Sequence, residues 1–111
     1  MKTIPFTALC VLCASVVQTT AAETFIVNDG QPRAELIISK EPPRTTSLAA
    51  RELQTYVQKI SGAKLRIVTE PSDDVPVKVC VGRSSHTEQL KVSADGLKHG
   101  AYRIVSGSDW L

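Results

Sequence analysis

The sequence predicts a mixed α/β domain: a small sheet of about five to six strands with one main amphipathic helix packed on it. Three observations carry that expectation. Residues 49–60 place apolar side chains at helical spacing. Two residues after Gly62, Lys64 to Thr69 takes up a strand-like rhythm. Val77-Lys78-Val79-Cys80-Val81 then sets three valines on one face of an extended segment.

The elements follow in chain order. Thr24 to Asn28 reads as a short strand, and Asn28-Asp29-Gly30 as the turn that ends it. Ala34 to Ser39 is a second strand carrying Leu36, Ile37 and Ile38, stopped by Pro42-Pro43, neither of which can donate to a ladder. In the helix, Ala49, Leu53, Tyr56, Val57 and Ile60 form the apolar stripe, with Arg51, Gln54, Thr55, Gln58 and Lys59 opposite. Thr45 and Thr46 are the candidate N-caps, since a side-chain oxygen can accept from the unpaired amides of the first turn. Gly62 suits the stop, where a left-handed backbone costs least without a Cβ.

The strand at 64–69 follows, then a loop at Pro71-Ser72-Asp73-Asp74 and the valine strand, ended by Gly82. Ser85-His86-Thr87-Glu88 has the capping-box pattern of a short helix running to about Leu90 or Lys91. Asp95-Gly96 is a turn, Ala101 to Val105 a strand, Ser106-Gly107-Ser108 a turn, and Asp109-Trp110-Leu111 the opening of another strand. A helix between the strands at 34 and 64 makes a right-handed crossover if those two strands are parallel.

The domain organisation is a leader and one small domain. In residues 1–22, Lys2 gives a positive start, Ile4 to Val17 is mostly apolar, and Thr20-Ala21-Ala22 offers small residues at a cleavage point before Glu23, the pattern of a secretory signal peptide. Residues 23–111 are expected to form the domain, and its stop on the apolar pair Trp110-Leu111 leads to the expectation that it is incomplete at its C-terminal end. The expected location is therefore secreted, periplasmic or extracellular, with no membrane association once the signal is cleaved. Cys10 and Cys13 leave with the signal, so the mature chain keeps only Cys80 and no internal disulfide staples it. Of 13 Lys and Arg only Lys2 is lost, which leaves 12 against 11 acids. Such a balance, scattered along the chain, is no footprint for nucleic acid or an anionic membrane.

The residue types that could carry chemistry lack the settings chemistry needs. Cys80 lies in the valine strand on the side opposite Val79 and Val81, which suits a buried thiol rather than a nucleophile with a lowered pKa and a nearby base. His86 and His99 show no metal-ligand spacing. Gly82-Arg83-Ser84-Ser85 follows a strand but lacks both the dinucleotide glycine fingerprint and the Gly-Lys-Ser/Thr of a phosphate loop. Asp73-Asp74, with Glu70 nearby, is a carboxylate pair of the kind glycosidases use, yet adjacent acids in a Pro-flanked loop read as solvated. Glu35, Glu41 and Glu52 have no context that singles them out. Tyr102 and Trp110 could stack a sugar ring, but as strand residues they read as core. No catalytic, cofactor-binding or metal-binding residue is assigned, and no cofactor.

Residues 48–68, LAARELQTYVQKISGAKLRIV, resemble a unit of N-terminal accessory domains in secreted glycoside hydrolases: the alpha-glucuronidase N-terminal domain and the beta-hexosaminidase-like second domain. The positions that carry the likeness are Ala49, Ala50, Glu52, Leu53, Tyr56, Ile60, Ser61, Gly62, Ala63, Leu65 and Ile67. VKVCVGRS at 77–84 resembles the family's next strand and its glycine, and GAYRIVSGSDWL at 100–111 its following hairpin. The family often has an acid and a glycine before the aromatic, whereas His99-Gly100-Ala101 precede Tyr102 here.

The resemblance implies a non-catalytic accessory domain in carbohydrate breakdown, scaffolding a downstream glycosidase barrel that would carry the acids. The partner is then the catalytic domain of the same polypeptide, with glycan as a further candidate. Fold analogy alone does not make the parent an active hydrolase. The alternative is an independent extracellular binding or cell-surface module without hydrolase activity. A small thiol enzyme built on Cys80 is the third and least supported reading.

Overall fold

A computed structural model describes residues 25–111. The signal peptide expected at 1–22 and the first residue of the strand expected from Thr24 lie outside the described residues. The class is the expected mixture of helix and sheet. The strands, however, divide into a two-stranded and a three-stranded sheet rather than one sheet of five or six.

The first sheet is a hairpin. β1 (Val27–Asn28) pairs antiparallel with β2 (Gln31–Pro32), with Val27 opposite Pro32 and Asn28 opposite Gln31. Asp29 and Gly30 both have positive φ, 49° and 72°. Two such residues make the turn whose twist matches paired strands, and Asp-Gly adopts it at low cost. The turn expected at 28–30 is therefore present. Its return strand is additional to the expected elements, and Pro32 fits there because β2 pairs on one side only.

The second sheet is the frame of the molecule. β3 (Ala34–Ile37) is central, with β4 (Arg66–Val68) on one side and β5 (Val77–Cys80) on the other, both parallel to it. All four residues of β3 are buried, because both its faces are covered. On one face Ala34 and Leu36 join Val77, Val79 and Leu65 in the core, with Ile67 packed against it. The helix α1 (Arg44–Ser61) covers that face through Val57. The other face carries the alternate residues, Glu35 and Ile37, as the pleat requires.

α1 connects β3 to β4, as a parallel pair needs. Its N-cap is Pro43, and no side chain caps it, so the caps expected at Thr45 and Thr46 do not form. Both threonines lie inside the first turn, where Pro43 sets the helix start instead. The C-terminal stop is as expected. Gly62 is left-handed at φ 77° and its amide donates to Gln58 O at 2.8 Å. Ser61 Oγ donates to Val57 O and accepts from Ala63 N, and Gln54 Nε2 reaches Leu65 O at 2.6 Å. These bonds fix the turn from helix into β4.

The apolar stripe of α1 is only partly used. Ala50 and Val57 are buried, while Leu53, Tyr56 and Ile60 are 38%, 60% and 85% exposed. Ala49, expected in the stripe, is exposed and its neighbour Ala50 is the contact. A three-stranded sheet is too narrow to cover a wide stripe, and only the line through Ala50 and Val57 is fully buried.

The link from β4 to β5, residues 69–76, contains no helix. It passes over β3 on the face opposite α1, as the contacts between Ser72 and Glu35 show. The registers put its ends about 14 Å apart, from two strand spacings of about 4.8 Å and three residues of rise. An extended path over such a distance fits in a loop, whereas parallel links usually take a dozen residues or more.

The short helix α2 (Ser85–Gln89) starts one residue earlier than expected. Ser84, not Ser85, is the N-cap, and Thr87 closes the capping box that the sequence suggested for Glu88. A threonine hydroxyl reaches the cap amide as a Glu carboxylate would, so the pattern matched one position out of phase. The strand expected at Ala101 to Val105 does not form, and Tyr102 and Ile104 are 81% and 73% exposed. At 109–111 the hairpin expected with Ala101 to Val105 is absent, and a single isolated bridge to β5 takes its place. Trp110 bridges Lys78 in parallel, Lys78 N donates to Asp109 O, and Leu111 N donates to Lys78 O. Those residues extend the frame beyond β5.

Candidate functional site

Two features stand out: a buried carboxylate under the β4–β5 link and an apolar hollow beside β5. The carboxylate follows from register. Glu35 on β3 lies opposite Arg66 on β4 and Lys78 on β5, so one row across the sheet reads Arg, Glu, Lys. Glu35 is fully buried. Its Oε1 accepts from Ser72 N at 2.6 Å and lies 3.1 Å from Lys78 Nζ, and its Oε2 accepts from Ser72 Oγ at 2.8 Å. Arg66 Nη2 stands 3.6 Å from Oε2 and also reaches Asp74 Oδ1 at 3.3 Å. Lys78 Nζ donates in addition to Ser72 O and Val75 O.

Burial pushes the Glu35 carboxyl up, but the Ser72 amide and hydroxyl and the Lys78 ammonium outweigh it, and its pKa is below the ordinary value. All three ammonium protons of Lys78 have acceptors, and both carboxylate oxygens have donors. A carboxylate so fully bonded holds a loop in place and is poorly set to accept a substrate proton. The sequence had a signal for it. Glu35 and Lys78 each interrupt an apolar strand in mid-run, with opposite charge, and two neighbouring strands can bring such residues together.

The hollow, about 440 Å³, lies between β5, α2 and residues 92–111. Its lining is mainly apolar: Leu53 of α1, Val79 and Val81, Leu90, Leu97 and Ile104, with Tyr102 and Trp110. Trp110 is held closely by the turn before it, where a Cβ on Gly107 would meet the indole Nε1 at 2.2 Å. Tyr102 and Trp110 thus meet at one hollow, though Tyr102 is exposed rather than core.

The other sequence candidates are dispersed. Cys80 is free and half-buried, and burial raises its thiol pKa. It lines the hollow, while His86 lines a separate cleft with Glu70, Pro71, Ser85 and Gln89. His86 Nδ1 is buried with no hydrogen-bond partner among the described residues. Both histidines read as surface residues from the sequence; His99 is exposed, whereas His86 is half-buried against the link. Glu70 pairs with Lys40 at 2.6 Å on the surface, and each holds the other's charged form. Asp73 and Asp74 are exposed in the link, with Asp74 turned to Arg66. These acids therefore do not face one another across a cleft. In the Gly82–Ser85 stretch, Ser84 Oγ already accepts from Thr87 N, which turns it inward as a cap. Among the described residues, no group of three or more His, Cys, Asp or Glu could hold a metal ion, and no helix is long and apolar enough to cross a membrane.

No family model matches the chain, and no curated protein or solved structure matches it either. The likeness to accessory domains of glycoside hydrolases rests on the quoted residues alone.

Proposed function

We propose that this chain is a non-catalytic accessory domain of a secreted carbohydrate-active hydrolase, packing against a downstream glycosidase barrel of the same polypeptide. The observation that carries the reading is the outward apolar stripe of α1, Leu53, Tyr56 and Ile60. Exposed apolar residues at helical spacing suit a helix face that another domain covers. The LAARELQTYVQKISGAKLRIV segment points to the same class of domain. Secretion rests on the leader-like residues 1–22 and on cleavage before Glu23. The test compares solvent labelling of Leu53, Tyr56 and Ile60 in the domain alone and in the protein with all that its gene encodes after Leu111. Protection in the longer protein, with a barrel downstream, is expected. Equal labelling, or a reading frame without a barrel, overturns the proposal.

One observation favours the second reading, an independent extracellular binding module. Tyr102 and Trp110 line the same hollow, and aromatic rings at a hollow can stack sugars. Binding of the isolated domain on a broad glycan panel, lost in Tyr102→Ala, would favour that reading over scaffolding.

A further inference from the structure

A parallel link usually packs a helix on the sheet and is held by that helix's apolar face. The β4–β5 link has no helix and lies on the face of β3 that α1 does not cover. Its residues Glu70, Pro71, Asp73 and Asp74 are exposed, and only Ser72 and Val75 are partly buried. Its hold on the sheet is therefore polar. Ser72 contributes amide, hydroxyl and carbonyl, Val75 contributes its carbonyl, and all four groups bond to Glu35 or to the Lys78 ammonium that Glu35 pairs with.

We propose that Glu35 is the latch of a locally opening segment: when its charge is removed, residues 69–76 swing off the sheet as a unit while β3, β4, β5 and α1 stay folded. Segments with few buried apolar contacts open below the global unfolding energy. The groups facing the Glu35 carboxylate are Lys78 from β5, Arg66 from β4, and Ser72 from the link itself. Asp74 of the link is turned to Arg66, and α1 lies on the opposite face. With Glu35 neutral, Lys78 and Arg66 lose a buried anion, and Ser72 N loses a charged acceptor. Arg66 can keep Asp74 at the surface, but that exposed pair holds little. Opening uncovers Glu35 and Lys78 beside the already exposed Arg66, and water solvates the ammonium in place of the loop carbonyls.

The experiment uses the full-length protein and its Glu35→Gln variant at neutral pH. Amide exchange is read at Ser72, which donates to Glu35, and at Val81, which donates to Ile37 in the sheet at 2.9 Å. Cleavage by an endoproteinase acting before aspartate is followed at the Ser72–Asp73 bond. The expected result is a loss of Ser72 protection of about tenfold or more, with cleavage faster by a similar factor, from the loss of a charged hydrogen bond. Val81 keeps a clearly higher opening energy than Ser72, and the far-ultraviolet spectrum stays as in the parent. If Ser72 and Val81 exchange through one common opening, or Ser72 keeps its protection, Glu35 is no latch. Should Glu35→Gln fail to fold, the parent decides. Acidification should release Ser72 before Val81, and simultaneous release overturns the proposal.

Discussion

Glu35 and Lys78 meet at 3.1 Å across the paired register of β3 and β5, on a sheet face that holds no other buried acid among the described residues. The pair is specified twice, once by strand register and once by the link that bonds to both partners.

Removing one partner leaves the other charge buried. Glu35→Ala should lower stability by roughly 3 to 5 kcal/mol, whereas Glu35→Leu with Lys78→Met should stand within about 2 kcal/mol of the parent. Urea unfolding of the three proteins checks this. A double variant no more stable than Glu35→Ala would show that the link, rather than the charge pair, carries the energy.

Acid should act through the same carboxylate. Its folded pKa lies below the ordinary value, so its contribution is complete above the ordinary carboxylate range and is lost as pH falls through the depressed folded value. The urea midpoint should therefore fall with acidification in the parent and fall less in Glu35→Gln. Parallel acid limbs in the two proteins would assign acid sensitivity to other groups. Glu70, also lowered by its pairing with Lys40, is exposed and screened, so Lys40→Ala should leave the acid limb nearly unchanged.

Gly107 should tolerate no side chain. A Cβ there would lie 2.2 Å from Trp110 Nε1, so Gly107→Ala must displace the indole. Trp110 is the sole tryptophan, so its fluorescence reports this directly, with a red shift expected. Exchange at Lys78 N, which donates to Asp109 O, should quicken as the 109–111 pairing loosens. An unchanged emission spectrum would contradict the packing described.

Cys80 should react slowly. Its raised thiol pKa and half-buried position leave little thiolate at neutral pH. Alkylation of the native protein should be many-fold slower than in denaturant, and Cys80→Ser should spare any activity of the full-length protein. Labelling as fast as in the unfolded chain, or a loss of turnover with folding intact, would reverse this.

Ile60 and Tyr56 should govern self-association. Ile60→Lys with Tyr56→Lys should change stability by no more than about 0.5 kcal/mol, as for other exposed positions. Light scattering should show fewer oligomers of the domain. Association at the parent's level would place the sticky surface elsewhere, with the hollow the next suspect.

Much of the frame was legible because it rests on local rules. Helical spacing and a left-handed Gly62 bounded α1, and alternation in VKVCV found β5. Pro43 supplanted the threonine caps because the chain needed a helix start immediately after a proline, and φ was already set there. The failures are non-local. Sequence spacing cannot say which sheet a strand joins, so two sheets were read as one. Ala101 to Val105 alternates well but pairs with nothing in the described structure, and alternation without a partner makes no strand. Glu35 looked ordinary because its meaning lies in Lys78 and Ser72, both distant in sequence. The hollow needed α2 and residues 92–111 to be placed in space.

The parallel run from β3 through β5 to Trp110 also has a mechanical meaning. Tension applied at Arg33 and Leu111 pulls the central strand from its beginning and the outermost segment from its end. Because the strands point the same way, that load runs along them, and the ladder bonds are sheared together rather than peeled one at a time. The direction in which this domain is tugged, more than its thermal stability, then sets how much force it withstands.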